Sequence, residues 1–273
     1  MFSLGLILAM ALSLLSPISS AVAQGTADGN ARALLAKMTP EERVGQLFLV
    51  SFTGTDISPQ SNIYDLIVHH HIGGVVLSEE NDNFVAAPAT LTEADRLISG
   101  LQEIEWNNSL DTQSSNTGDL GSYAYIPLFI GIDQPGDGLS HDQILSGLSA
   151  IAPEMAIGAT WNTDTARQTG TVLGSELSAL GFNLYLGPSL DVLTSPAASQ
   201  PGDPGTLVFG GDPFWVGAMG QSYIEGLHSG SKGRMAVIAR NFPGRGEADR
   251  RAPATTSVVR SRRRPPAPGC SSR

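Results

Sequence analysis

Short apolar runs separated by stretches of helical spacing, with no hairpin signal between them, constrain this chain more than any other feature. Val44–Phe52 (VGQLFLVSF), Gly73–Leu77 (GGVVL), Leu128–Ile132 (LFIGI), Phe182–Leu186 (FNLYL) and Arg234–Ala239 (RMAVIA) read as five strands. Runs this apolar suit strands covered on both faces, as in a parallel sheet. Helices fill the intervals. Thr39 as N-cap, Pro40 at N1 and Glu42 at N3 spell a capping box after a short helix over Ala31–Lys37. Ile63–His71, Leu91–Glu105 (capped by Thr92), Thr163–Leu180 (stopped by Gly181) and Trp215–Ser229 follow. Asn107–Tyr125 reads as a long polar surface loop, Ile151–Trp161 as a loop-rich stretch, and Pro196–Pro213 as irregular. The alternation predicts an α/β fold with a parallel sheet.

Three strand ends carry polar groups. Asp133 follows the Pro127-initiated third strand and opens a Gly/Pro-rich loop, Asp191 lies just beyond the fourth, and Arg240 with Asn241 closes the fifth. The C-terminal ends of parallel strands are where α/β folds place ligands, and several such groups on one rim make a binding site. An aspartate at a strand end can also simply cap the next turn, and that alternative stands beside the first. His69, His70 and His71 are consecutive on a helix and so point in different directions, which makes a poor metal-ligand set; no metal and no cofactor is expected. No P-loop and no glycine-rich dinucleotide fingerprint is present.

Charge divides the chain. The formal net charge is −10, but eight of the 16 Lys and Arg fall in residues 245–273 beside only Glu247 and Asp249, leaving +6 there and −16 over residues 1–244. An acidic body argues against nucleic acid as a partner. Cys270 is the single cysteine, so no intrachain disulfide is possible. Leu4–Leu15 is an apolar run of signal-peptide length, and Ala21-Val22-Ala23 is an A-x-A cleavage pattern before Gln24. The expectation is a signal peptide over residues 1–23, a secreted protein beginning at Gln24, and no membrane association after cleavage. The oligomeric state is left open.

The motifs LFLVSFTGT (47–55), IGGVVL (72–77), PLFIGIDQPGDG (127–138), MAIGATW (155–161), ELSALGFNLYLGPSLDV (176–192), FGGDP (209–213) and NFPGRG (241–246) together resemble the N-terminal (β/α)₈ barrel of glycoside hydrolase family 3. The type resembled is the bacterial β-N-acetylhexosaminidase or β-glucosidase. The resemblance implies a terminal β-linked saccharide as substrate and retaining hydrolysis by an aspartate nucleophile and a separate acid/base. It places Asp133 on hydroxyls of the terminal sugar, Asp191 in the family's P-x-L-D-V segment, and Arg240 and Asn241 on its K-H pair before F-P-G. Arg240 keeps the cation with a different reach; Asn241 keeps a donor and an acceptor but does not titrate. The arginine before the family's S-F-G falls at Leu207, its E-G-G-R reads Pro135-Gly136-Asp137-Gly138, and the loop of the Asp-x-His acid/base carries Glu247 and Asp249 without a histidine.

The resemblance puts the nucleophile on a strand beyond the end of this chain, so no catalytic residue is assigned. The expected fold is an incomplete TIM-type barrel with about five of eight strands over residues 24–244. A disordered Arg/Pro-rich tail over 245–273 would be a possible frameshift product, and the chain would be inactive alone. The alternative is a non-catalytic sugar-binding remnant.

Overall fold

The computed structural model of the chain describes residues 29–115, 125–138, 142–193 and 206–244. The apolar leader, the centre of the Asn107–Tyr125 segment, Glu247, Asp249 and the Arg/Pro-rich tail lie outside the described residues.

The apolar runs become β1 (Leu49–Val50), β2 (Gly74–Val76), β3 (Phe129–Ile132), β4 (Leu184–Ser189) and β5 (Ala236–Arg240). Every pairing is parallel and the spatial order is the chain order, β1-β2-β3-β4-β5. Parallel neighbours need a crossover that returns the chain to the starting end. Helix α1 (Pro40–Gly45) precedes β1, α2 (Asn62–Val68) and α3 (Thr90–Ser115) make the next two crossovers, α4 (Glu154–Ala159) with α5 (Thr163–Ala179) the third, and α6 (Pro213–Gly230) the fourth. Strands laid side by side in sequence are the pattern of a (β/α)₈ barrel, and among the described residues β1 and β5 remain open edges, as an incomplete barrel requires. No helix among the described residues is long and apolar enough to cross a membrane.

The core lies between the sheet and its helices. Val75, Ile130, Ile132 and Tyr185 from the strands meet Ile67, Leu101, Leu173, Leu177, Tyr223 and Leu227 from the helices, all fully buried. Two side-chain amides fix the start of β3. Gln102 donates to the Leu128 carbonyl (2.9 Å) and accepts from its amide (3.1 Å); Asn183 accepts from the Ile130 amide (2.7 Å) and donates to the Leu128 carbonyl (2.9 Å). Such bonds add about 1 kcal/mol each and discriminate against a register slip.

Helices α5 and α6 touch backbone to backbone. A Cβ on Gly170 would sit 2.2 Å from the Tyr223 carbonyl oxygen, one on Gly226 2.1 Å from that of Arg167, and one on Gly230 2.1 Å from that of Thr171. Gly181 terminates the stretch after α5 with φ +94°, a left-handed turn that glycine adopts without strain. The capping box forms as read: the Glu42 amide donates to Thr39 Oγ1 (3.2 Å) and the Thr39 amide to Glu42 Oε2 (2.6 Å).

Several sequence-derived boundaries move. The run Val44–Phe52 is mostly not strand: Val44 and Gly45 end α1, and only Leu49–Val50 pairs. The segment is pinned in a tight bend, because the Gly73 amide donates to both Gly45 and Phe48 carbonyls (3.1 and 3.0 Å) and a Gly45 Cβ would lie 2.1 Å from the His70 carbonyl oxygen. Leu47, Phe48 and Leu49 are exposed there. Helix α3 starts at Thr90, not after Thr92, and runs to Ser115, so residues 107–115 are helix and not loop. Asn108 on this extension donates to the Val68 carbonyl (3.3 Å), anchoring a polar stretch by tertiary contact. The loop-rich stretch Ile151–Trp161 contains α4, and the fifth strand is shifted to end on Arg240 itself.

Strands β4 and β5 fall out of step near the rim. Leu184, Tyr185 and Leu186 face Ala236, Val237 and Ile238, but the next partners are Ser189 and Arg240, so β4 spends one residue more than β5 over the same distance.

Candidate functional site: a polar rim at the strand ends

Asp133 follows the fully buried Ile132, and the loop beyond it is tied down by two side chains. Gln134, itself buried, accepts from the Gln143 and Ile144 amides (both 2.9 Å) and donates to the Ile144 carbonyl (3.0 Å). Asp142 accepts from the Gly136 amide (2.5 Å) and the Gly138 amide (2.7 Å). From beneath, the Tyr185 hydroxyl donates to the Gln134 carbonyl (3.1 Å). Asp133 is therefore presented from a loop whose backbone has little freedom.

Arg240 arrives from the end of β5, 107 residues later, and its Nη1 donates to Asp133 Oδ2 in an ion pair. Both side chains are about one-third exposed (33% and 32%), so the pair lies at the surface of the rim. Asn241, held at φ +57°, donates from Nδ2 to Ser189 Oγ (3.0 Å). The same hydroxyl lies 3.4 Å from the Asp191 amide, and Asp191 Oδ1 accepts from the Val192 amide (3.0 Å). Asp191 is 6% exposed, and a Cβ on Gly244 would come within 3.3 Å of its Oδ1.

Four sequence-derived candidates thus converge on one rim in two pairs. Asp133 and Arg240 touch directly; Asn241 and Asp191 meet around Ser189. The Asp191 bond to the Val192 amide is the kind that a turn-capping aspartate makes. Leu207 is half-buried beside the buried Val208 and Phe209, an apolar position. His69 and His70 face Asp65 at 2.9 and 3.6 Å on the exposed side of α2.

Against this geometry, the model of the glycosyl hydrolase family 3 N-terminal domain matches residues 39–263. The chain belongs to glycosyl hydrolase family 3. Among curated family 3 relatives, a beta-N-acetylglucosaminidase/beta-glucosidase of Cellulomonas fimi is 30% identical over 223 residues, covering 80% of this chain and 32% of its own. A beta-hexosaminidase of Thiobacillus denitrificans is 35% identical over 126 residues, 44% of this chain and 33% of its own. In structure, a family 3 beta-N-acetylglucosaminidase from Paenibacillus sp. FPU-7 matches with a TM-score of 0.60 at 26% identity, covering 76% of this chain and 34% of that one. The chain therefore spans about a third of the length of these family 3 proteins.

Sequence reading missed one titratable member of this family 3 rim. Glu154, the first residue of α4, is 5% exposed, and its Oε1 accepts from the Ser189 amide (3.2 Å). Burial, with smaller pushes from Asp133 and Asp137, raises its carboxyl to about 7 against the downward pull of the Ser189 bond and the Arg240 charge. Pro153, the N-cap of this short helix, was the available signal, since proline favours the start of a helix. The buried hydroxyls of Tyr185 and Tyr223 beneath are pushed up mainly by desolvation, and the Glu154 charge adds to this.

Proposed function

We propose that the polar rim is the terminal-sugar pocket of a β-glycoside hydrolase, taking β-linked N-acetylglucosamine or glucose. The observation that carries the reading is the Asp133–Arg240 pair, two strand ends 107 residues apart in sequence brought together at the C-terminal face. The chemistry suits a sugar. Asp133 offers carboxylate oxygens to hydroxyl donors, Arg240 offers planar N–H donors to hydroxyl acceptors, and Asn241 offers one of each. The names of the relatives from Cellulomonas fimi and Thiobacillus denitrificans support the substrate class. In the family the reaction is retaining hydrolysis through two carboxyl groups.

In this reading the residues gathered here hold a sugar, and the resemblance places the family nucleophile on none of them. The proposal for this chain by itself is therefore sugar binding with negligible turnover. Incubating purified protein with nitrophenyl β-N-acetylglucosaminide and nitrophenyl β-glucoside tests turnover, and calorimetry with N-acetylglucosamine and glucose tests binding. Binding heat that Asp133→Ala abolishes, without release of nitrophenol, supports the reading. Turnover that Asp133→Ala abolishes assigns a hydrolase to this chain, and the absence of both heat and turnover removes the sugar pocket.

A further inference from the structure

Two side chains at the rim carry buried polar atoms that lack a hydrogen-bond partner among the described residues: Glu154 Oε2 and Arg240 Nε. Both residues also meet the same short piece of structure, Glu154 by its side chain and Arg240 by its backbone. Glu154 Oε1 takes the Ser189 amide, Asn241 takes the Ser189 hydroxyl, and the Leu190 amide donates to the Arg240 carbonyl (2.8 Å). Arg240 meanwhile gives Nη1 to Asp133. The guanidinium thus lies in the field of two carboxyl groups, Asp133 from the ligand side and Glu154 from the buried side.

We infer that Glu154 is a positioning residue of the sugar pocket, which through Ser189 and Arg240 governs how tightly Arg240 holds Asp133. The inference rests on the sugar-pocket reading for its ligand, and on the Glu154–Ser189–Arg240 geometry for its mechanism. When Glu154 carries a proton, Asp133 is the principal counter-charge of Arg240 and the ion pair occupies a carboxylate oxygen. When Glu154 is ionised, it takes a share of the guanidinium charge, the pair to Asp133 loosens, and the Asp133 oxygens turn to hydroxyl donors.

The groups that face Glu154 are Arg240 from β5, Asp133 and Asp137 from the β3 loop, Tyr185 from β4 and Tyr223 from α6. Of these, the two tyrosines are pushed above their ordinary range. The carboxyl of Glu154, raised to about 7, changes charge near neutrality. Sugar binding should tighten as pH rises through that window.

The test reads the coupling with and without sugar. In ¹⁵N-labelled full chain, the Arg240 Nε–H resonance, assigned by its loss in Arg240→Lys, is followed from about pH 5.5 to about pH 8.5. It should shift with a midpoint near 7, and the shift should vanish in Glu154→Gln, which keeps an acceptor for the Ser189 amide. Over the same range, calorimetry should show N-acetylglucosamine affinity rising about threefold to tenfold in the wild type and less than about twofold in the variant. A static Arg240 signal in the wild type overturns the inference even if Glu154→Gln does not fold, and so does an unchanged titration in the variant. A moving signal with no sugar heat at any pH keeps the Glu154–Arg240 coupling and overturns the sugar-pocket reading instead.

Discussion

The two sides of the sheet are built by opposite means. On the β4–β5 side, α5 and α6 lie with backbones in contact through Gly170, Gly226 and Gly230, and the strand ends above them bond polar group to polar group. On the β1 side, Leu47 is 81% and Phe48 55% exposed, and an open groove of about 540 Å³ is lined by Val44, Phe48, Val50, Leu66 and Ile72. That groove also carries Glu41, His69 and His70, and contains none of the strand-end polar groups. The difference teaches that apolar content alone does not bury a strand. A strand needs a neighbour on each side and a helix across it; β1 and β5 each have one neighbour among the described residues, and Ile238 of β5 is exposed as Leu49 of β1 is.

The sharpest way to break the comparison is to separate the touching helices. Gly226→Ala places a Cβ within 2.1 Å of a backbone oxygen that cannot rotate away. A loss of about 4 kcal/mol is expected in chemical denaturation, the upper end of overpacking effects. A loss below about 1 kcal/mol would mean that α5 and α6 can part cheaply, and the contrast with the β1 side would collapse.

Next in size is the buried acid. In the folded chain Glu154 holds its proton up to about 7, against an ordinary 4.5. The folded state therefore binds more protons than the unfolded one between these values. Stability is highest below pH 4.5, falls as pH rises through the window, and levels off above about 7. The contribution is about 3 kcal/mol, so Glu154→Gln should stabilise the chain by about that much at pH 8.5 and leave it unchanged near pH 4.5. Equal effects at both pH values would show that Glu154 does not titrate as a buried acid.

Glu154 also marks where sequence reading stopped. Asp133, Arg240 and Asn241 were legible because each directly follows or ends an apolar strand, and strand ends share a rim by topology. Nothing comparable announces Glu154. It opens a six-residue helix inside a stretch without clear periodicity, and its burial depends on Ser189, 35 residues onward. The same limit hid the last turns of α3, where Asn107 and Asn108 look like loop residues until the Val68 carbonyl supplies a partner. It also lengthened β1, since Leu47 and Phe48 are as apolar as a core strand and only the bend at Gly45 and Gly73 removes them. Capping, by contrast, needs only near neighbours, and the Thr39–Glu42 box formed as spelled.

Two smaller effects sharpen the contrast further. Asp133→Asn leaves Arg240 without its ligand-side counter-charge; the pair is partly exposed, so the stability cost should be only about 1 kcal/mol. Sugar binding, measured by calorimetry, should nonetheless fall at least about tenfold, and retained affinity would detach the pocket from this pair. Smallest of all, Phe48→Ser on the β1 side should change stability by no more than about 0.5 kcal/mol while reducing self-association seen by light scattering. A large destabilisation there would show that the exposed phenylalanine is packed after all.

The extra residue in β4 has a further consequence. A strand alternates its two faces with a period of two, so inserting one residue reverses the alternation from that point on. Below the insertion, β4 turns Tyr185 toward the helices and keeps to the rhythm of the core. Above it the phase is inverted, and Ser189 donates its amide to Glu154 and accepts from Asn241 on its hydroxyl oxygen. One strand thus obeys two incompatible patterns, greasy below and polar above, separated by a single phase slip. Deleting Gly187 would restore one rhythm along the whole strand, and the rim, not the core, would lose its place in it.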